Sequence, residues 1–214
     1  MKNIYCISGF GADERIFSKL ILTDHSVHFI RWIIPEKNEG ISDYAKRLTL
    51  QIHHSNPILI GVSFGGMICI EISKLIEVEK IILISSIKSF NELPLWMRLA
   101  GKLKLNKLLP MKPFKLLHPL ENYNLGAETT DEKKLLYEYR KNLNPQYSEW
   151  GINIILNWKN NHIPKNLFHI HGSNDRIFPL KKLKPDYIVN GGHLIIMNRY
   201  AAVKEYVDKI LNLK

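Results

Sequence analysis

Two short apolar runs constrain the fold of this chain more than any other feature. Residues 57–62 (PILIGV) and 80–85 (KIILIS) consist almost entirely of aliphatic side chains, and most of these are β-branched. Runs of this kind are typical of strands that are covered on both faces, as inside a parallel sheet. Parallel strands need a crossover segment between them, and a helical pattern occupies residues 64–77. The two runs therefore predict an α/β sheet.

The same alternation of strand and helix extends towards both ends of the chain. Further strand patterns occupy residues 2–8, 27–34, 166–170 and 186–190. Further helical patterns occupy residues 13–21, 42–54 and 199–211. This order predicts a doubly wound, mostly parallel sheet of about six strands with right-handed crossovers.

The middle of the chain departs from this alternation. Between residues 87 and 158 the patterns are mostly helical, and they include a segment that opens on Pro94 and one that opens on threonine followed by acids. We therefore predict a core formed by residues 1–86 and 159–214. A helical cap, residues 87–158, is predicted to be inserted into it.

A serine between glycines follows the first of the two apolar runs. In GVSFGG, Ser63 comes directly after the predicted strand and before the predicted helix, and Gly61 and Gly65 flank it. A sharp strand-to-helix turn requires small neighbours and exposes the serine Oγ above the sheet. A serine hydroxyl also needs a base to remove its proton before it becomes a good nucleophile. Ser63 is therefore the candidate nucleophile, and its partners should lie further along the chain.

This context resembles the α/β-hydrolase superfamily, in particular its small, capped, carboxylesterase-like serine hydrolases. The resemblance implies a triad in the order serine, acid, histidine. One departure from the family is that the strand before the oxyanion loop comes almost at the start of this sequence, so the sheet is expected to lack the superfamily's usual first two strands. Asp175 in HGSNDRIFP and His193 in GGHLIIM each follow a predicted strand, as the resemblance requires. Asp186 is the alternative acid, but it begins a strand and would lie at the opposite edge of the sheet. The resemblance thus implies the catalytic residues Ser63, Asp175 and His193.

The resemblance also implies an oxyanion hole formed by two backbone N–H groups. One would belong to Phe64, directly after the nucleophile. The other would belong to Phe10, in the loop that follows the first strand. Many members of the superfamily carry His-Gly before this second donor, whereas this chain carries Ser8-Gly9. This difference leaves the backbone donor in place, but it affects the expected geometry of the loop around that donor.

The predicted cap offers apolar side chains for a substrate pocket. Trp96 and Leu99 recur with Leu103 on one helical face, and Trp150 lies on another amphipathic face. These side chains are predicted to line an acyl pocket. With serine at the turn, ester, thioester or amide chemistry is favoured over that of the dehalogenases and epoxide hydrolases that carry aspartate there. The function predicted is cleavage of a small carboxylic ester or thioester through an acyl-enzyme.

Positive charge is concentrated in the predicted cap. The whole chain carries a net charge of +10, and residues 88–118 alone contain seven basic side chains and one acidic side chain. The basic residues are Lys88, Arg98, Lys102, Lys104, Lys107, Lys112 and Lys115. They could simply be solvated, or they could bind an acidic carrier protein or coenzyme A, a partner that the resemblance suggests. No aromatic interleaving or helix-turn-helix pattern supports binding to nucleic acid.

Three other functions fit parts of the same pattern. The chain could be a ligand-binding or scaffold protein that has lost catalysis, a hydrolase of C–C bonds with the same triad, or a peripheral lipase that docks its basic cap on anionic membranes.

Cys6 and Cys69 show no metal-ligand spacing, and no metal or organic cofactor is expected. A cytoplasmic protein without an integral membrane segment is predicted.

Overall fold

The computed structural model describes residues 1–105 and 117–213, in which six strands form one parallel sheet in the order β2-β1-β3-β4-β5-β6. The strands are β1 (Asn3–Ile7), β2 (Ser26–Ile30), β3 (Ile58–Val62), β4 (Lys80–Ile84), β5 (Leu167–Gly172) and β6 (Tyr187–Val189). Every neighbouring pair is parallel. All six predicted strands are confirmed.

Helices accompany the sheet, and others lie in the chain between β4 and β5. They are α1 (Ile41–Thr49), α2 (Phe64–Ser73), α3 (Leu95–Lys102), α4 (His118–Leu125), α5 (Thr130–Asn142), α6 (Pro145–Asn157), α7 (Ile195–Asn198) and α8 (Tyr200–Leu211). Within the two described ranges, none of these helices is long and apolar enough to cross a bilayer.

The strand β3 shows why its sequence is continuously apolar. Ile58 and Ile60 pack into a core with α8, whereas Leu59, between them, packs into a second core with α1 and α2. Successive side chains of a strand point to opposite faces, so a strand between two helical layers needs apolar residues at every position. The doubly wound arrangement is confirmed.

Two local predictions need correction. The helix expected at residues 13–21 is only a single 3₁₀ turn, Glu14–Phe17. The Asp13 carboxylate accepts hydrogen bonds from both the backbone and the side chain of Arg15, which closes a tight turn at this point. The helix α4 was not predicted, although Pro119 near its start and Gly126 after its end, at φ +75°, are the residues that favour those positions.

The helices α3 to α6 occupy the chain segment that we predict to be a cap. In this segment α3 packs against α6, and α5 begins with a capping box between Thr129 and Glu132. The helical character of the segment is therefore as expected. The predicted boundaries at residues 87 and 158 stay a prediction.

Both cysteines lie inside the fold. Cys6 is buried in β1 and Cys69 in α2, and both are free thiols. Burial raises the pKa of Cys6 to about 12, because the charged thiolate loses its solvation. These thiols are therefore protonated and poorly reactive at neutral pH.

Candidate active site

Ser63 occupies the tight turn that joins β3 to α2. Its φ is +52° and its ψ is −118°, a strained conformation for a residue other than glycine. A Cβ on Gly61 would lie 2.5 Å from the Cα of Gly66, and a Cβ on Gly65 would collide with the carbonyl oxygen of Ile7. The turn therefore requires glycine at both flanking positions, and it holds the serine at the N-terminus of α2.

The structure brings Ser63 together with His193 and Asp175. The Nε2 atom of His193 lies 2.9 Å from the Ser63 Oγ, and its Nδ1 atom lies 2.7 Å from the Asp175 Oδ2. His193 lies between β6 and α7, and Asp175 follows β5. All three side chains thus come from the carboxyl ends of strands, where open α/β sheets bind their ligands.

The Asp175 carboxylate is buried and has several donors. Its Oδ1 atom accepts hydrogen bonds from the backbone N–H groups of Ile177 (2.8 Å) and Phe178 (2.9 Å). Burial alone would raise the pKa of this carboxyl, but the imidazoles of His193 and His171 and the Phe178 N–H favour the charged form, and the pKa is lowered. Asp175 therefore stays ionised at neutral pH.

The alternative acid, Asp186, is engaged elsewhere. Its carboxylate accepts a hydrogen bond of 2.8 Å from the backbone N–H of His169. It lies before the start of β6, whereas His193 lies beyond the end of that strand. Asp186 is therefore not part of this hydrogen-bonded group.

A second histidine contacts the same carboxylate and was not assigned to the site from the sequence. The His171 Nε2 lies 2.9 Å from the Phe178 carbonyl oxygen and 3.3 Å from the Asp175 Oδ2. Because both oxygens only accept, this nitrogen must carry a proton. The His171 Nδ1 then accepts from the Nε2–H of His169, 3.1 Å away. The spacing of two residues on one strand, which places both side chains on one face, was the available signal.

Burial of His169 and His171 gives the fold a pH dependence. Both side chains are fully buried, and burial lowers the pKa of each. In the unfolded chain, histidines bind protons below about pH 6.5. The unfolded state then holds more protons than the folded state, so the free energy of unfolding should fall with decreasing pH. We expect a loss of about 1–3 kcal/mol between pH 7.5 and pH 5.5 in urea titrations, from about 1.4 kcal/mol per histidine per pH unit.

The double variant H169Q/H171Q is the control for this pH dependence. It should be less stable than the wild type at pH 7.5, but its free energy of unfolding should change less between the two pH values. Burial also lowers the pKa of His28, so a smaller slope of the same sign should remain. An unchanged slope in the double variant would contradict the assignment.

The two predicted oxyanion donors lie beside Ser63. Phe64 is the first residue of α2, so its N–H is one that a helix leaves unpaired. Phe10 lies in the loop after β1, where a Cβ on Gly9 would be 3.5 Å from the Ser63 Cβ. No backbone hydrogen bond within the described residues uses the Phe10 N–H. Both N–H groups therefore have no backbone acceptor among the described residues, as the role of oxyanion donor requires.

Ser8 holds the loop that carries Phe10. Its hydroxyl donates to the Ala12 carbonyl oxygen (2.7 Å) and accepts from the Trp32 Nε1–H (2.9 Å). The side chain is buried. The first bond closes the loop between Ser8, at the end of β1, and Ala12. The second bond ties the loop to the chain after β2. The serine at this position thus fixes the loop.

An apolar cavity of about 760 Å³ opens above the Ser63 and His193 side chains. Its other lining residues, within the ranges that the structure describes, are almost all aliphatic or aromatic, and none of them is aspartate, glutamate, lysine or arginine. They include Ile16, Trp96, Met97, Leu136, Ile155 and Leu194. Such a cavity favours uncharged, apolar ligands.

Of the three side chains predicted to line a substrate pocket, Trp96 lines this cavity, whereas Leu99 and Trp150 do not. On α3 the lining residues are Trp96, Met97 and Ala100, and Leu99 lies on an adjacent face that is about half exposed. The Trp150 ring packs on Tyr44, with the ring centroids 4.1 Å apart. The helical period therefore turns both side chains away from the cavity.

Only part of the predicted basic surface belongs to the described residues. Lys107, Lys112 and Lys115 lie outside them. The Lys88 Nζ donates to the Lys184 carbonyl oxygen, and the Arg98 guanidinium lies over the Phe90 ring. Lys102 and Lys104 are exposed.

In the part of the chain that the structure describes, no group of three histidine, cysteine, aspartate or glutamate residues could hold a metal ion.

No protein-family model matches this chain, and no curated protein matches its sequence. Several solved structures are similar in fold. A candidate lipase from Acinetobacter baumannii has a TM-score of 0.73 at 16% identity, over 98% of this chain and 83% of that chain. A thermophilic esterase from Thermogutta terrifontis has a TM-score of 0.69 at 14% identity, over 99% and 89% of the respective chains.

A third similar structure is a 2-hydroxy-6-oxo-6-phenylhexa-2,4-dienoate hydrolase from Rhodococcus. It has a TM-score of 0.65 at 15% identity, over 99% of this chain and 91% of that chain. All three matches span nearly the whole of this chain. At such low identity, they establish the fold alone.

Proposed function

We propose that this chain, which has the α/β-hydrolase fold, is a serine hydrolase that cleaves small, uncharged carboxylic esters or thioesters. The observation that carries the proposal is the continuous hydrogen-bonded series from Ser63 through His193 to Asp175, at the base of an apolar cavity. A nucleophile, a base and an orienting acid within hydrogen-bond reach are the parts that acyl transfer requires.

The proposed reaction begins at the Ser63 hydroxyl. Its proton moves to the His193 Nε2 as the Oγ forms a bond to the substrate carbonyl carbon, and the carbonyl oxygen becomes an oxyanion. The N–H groups of Phe10 and Phe64 stabilise that oxyanion. When the intermediate collapses, the bond to the alcohol or thiol breaks, and His193 returns the proton to the leaving group. Water then hydrolyses the acyl-enzyme by the same steps.

Asp175 supports the base throughout this cycle. It accepts the Nδ1–H of His193, which leaves Nε2 as the nitrogen that accepts the serine proton. The negative charge also stabilises the imidazolium that forms in each half-reaction. The backbone N–H groups of Ile177 and Phe178 fix the carboxylate, so that little reorganisation is needed.

The cavity supports an apolar substrate over an acidic one. A dienoate, such as the substrate named for the Rhodococcus hydrolase, carries a carboxylate that would need a cation or several hydrogen-bond donors. Among the described residues that line the cavity, none carries a positive charge, except when His193 is protonated. A neutral ester therefore fits this cavity better than a dienoate.

A matched pair of chromogenic esters tests this proposal. p-Nitrophenyl butyrate and p-nitrophenyl succinate have acyl groups of the same carbon number, but only succinate ends in a carboxylate. We expect saturable hydrolysis of the butyrate ester. We expect kcat/KM for the succinate ester to be at least about 100-fold lower, because an unpaired buried charge costs at least about 3 kcal/mol. The Ser63→Ala variant provides the background rate.

Two outcomes would contradict the proposal. A folded wild-type protein that hydrolyses neither ester faster than Ser63→Ala would favour a non-catalytic ligand-binding protein. Equal kcat/KM for the two esters would reject the apolar acyl site. Butyryl-coenzyme A serves as a further substrate, because a preference for it over the butyrate ester would support thioester cleavage and recognition of an acidic carrier near Lys102 and Lys104.

A further inference from the structure

An aromatic cluster connects the two proposed oxyanion donors to the helix α6. The Phe10 ring stacks on the Tyr147 ring, with centroids 5.5 Å apart, and meets the edge of the Phe64 ring at 6.3 Å. The Phe64 ring in turn contacts Trp150 at 5.9 Å. Tyr147 and Trp150 both belong to α6. The side chains of both proposed donors therefore pack against one helix.

Gly151 brings this helix into contact with the Phe10 ring. A Cβ at Gly151 would lie 2.7 Å from the Phe10 Cε2 and 3.0 Å from its Cδ2, closer than van der Waals contact allows. Glycine within a helix costs about 1 kcal/mol relative to alanine. Local helix stability therefore disfavours glycine at this position, whereas the close approach to Phe10 requires it.

The chain just before α6 contacts the same loop. A Cβ on Gly11, next to Phe10, would lie 3.0 Å from the Leu143 Cδ1. Gly11 itself has a φ of +69°, which side chains rarely adopt. The loop is thus held by Ser8 and Trp32 on the side of the sheet, and by Leu143, Tyr147 and Gly151 on the side of α6.

We propose that α6 positions the Phe10 N–H for oxyanion stabilisation, with Gly151 and Tyr147 as positioning residues. The inference rests on the proposed function. Oxyanion donors act only when they lie about 2.7–3.1 Å from the position of the developing charge, so a small displacement of the loop weakens them. The contact at Gly151 acts through the Phe10 ring and does not touch substrate.

The variant Gly151→Ala tests this role. Its added methyl group should displace the Phe10 ring and the backbone attached to it. We expect kcat for p-nitrophenyl butyrate to fall by about 10- to 100-fold, the scale of a displacement of about 1 Å, with KM changing little. The melting temperature should not fall in proportion, because alanine favours the helix. Glu149→Ala, at an exposed position of α6, is the matched control and should keep the wild-type kcat.

A compensating variant separates positioning from general damage. Phe10→Leu shortens the side chain that collides with the new methyl group, while the backbone N–H remains. The kcat of the double variant Phe10→Leu/Gly151→Ala should therefore be at least about tenfold higher than the kcat of Gly151→Ala. Affinity for 1-butaneboronic acid, whose serine adduct places an oxygen at the oxyanion position, should fall and recover in parallel.

The outcomes distinguish this inference from the function on which it rests. An active wild type with an unchanged kcat in Gly151→Ala overturns the positioning role alone. The same holds if the double variant shows no recovery, or if the boronic acid affinity does not change. A folded wild type that neither hydrolyses the butyrate ester nor binds the boronic acid overturns the proposed function, and the positioning role with it.

Discussion

Replacement of His193 by alanine is expected to lower kcat for p-nitrophenyl butyrate by a factor on the order of 10⁶. The Nε2 atom of His193 is 2.9 Å from the Ser63 Oγ, and it is the base of the proposed reaction. Without it, the serine proton has no acceptor and the leaving group has no donor. The loss of the base therefore removes nearly the whole contribution of the triad.

The control for this variant is His162→Ala, at an exposed position. It should retain wild-type kcat. Urea unfolding of both variants would show whether the fold persists. An activity of His193→Ala within about tenfold of the wild type would contradict the role of His193 as base, because general base catalysis alone contributes about 10²- to 10⁴-fold.

Asp175→Asn is expected to lower kcat by a factor of about 10⁴. The Ile177 and Phe178 N–H groups donate to Oδ1, so an asparagine must place its carbonyl oxygen there. Its amide NH₂ then faces the His193 Nδ1, which must give up its proton in order to accept. The single proton of the neutral imidazole then lies on Nε2, and that nitrogen can no longer accept the proton of Ser63.

The same amide would also face the Nε2–H of His171, which now meets a donor in place of an acceptor. We therefore expect some loss of stability as well, measured by urea unfolding. Asp186→Asn is the matched control, because this carboxylate lies outside the site and should leave kcat within about twofold. A kcat for Asp175→Asn that equals the control value would rule out the proposed role of Asp175.

The sheet and the meeting of the candidate catalytic residues could be predicted from the sequence. The structure and its similarity to solved structures confirm the α/β-hydrolase fold. The parallel sheet could be predicted because uniformly apolar runs with helices between them leave few other arrangements. Ser63, Asp175 and His193 each follow a strand, and parallel strands end at one edge of the sheet. Their location at one edge is therefore a consequence of topology, whereas the grouping of these three residues as a triad is what the resemblance implied.

The cavity lining could not be predicted in the same way. Leu99 and Trp150 are apolar and lie on amphipathic helices, but sequence periodicity does not tell which part of the apolar face meets a neighbouring helix and which part meets a cavity. Trp150 packs on Tyr44 and donates its Nε1–H to the Glu39 carbonyl oxygen, a partner far away in sequence. Only the tertiary packing decides such contacts.

Contacts made by the loops after the strands were also beyond the sequence. The indole of Trp32 and the hydroxyl of Ser8 are 24 residues apart, and their bond fixes the loop that carries Phe10. His171 reaches Asp175 because the chain folds back after β5. Neither contact follows from a motif. Both depend on how the loops after the strands pack against each other.

Intact-protein mass spectrometry after reaction with a fluorophosphonate tests the central claim most directly. The reagent modifies an activated serine and requires no knowledge of the natural substrate. We predict one adduct on the wild-type protein and none on Ser63→Ala under the same conditions. An adduct of equal yield on Ser63→Ala, or no adduct on a folded wild type, would contradict the assignment of Ser63 as an activated nucleophile.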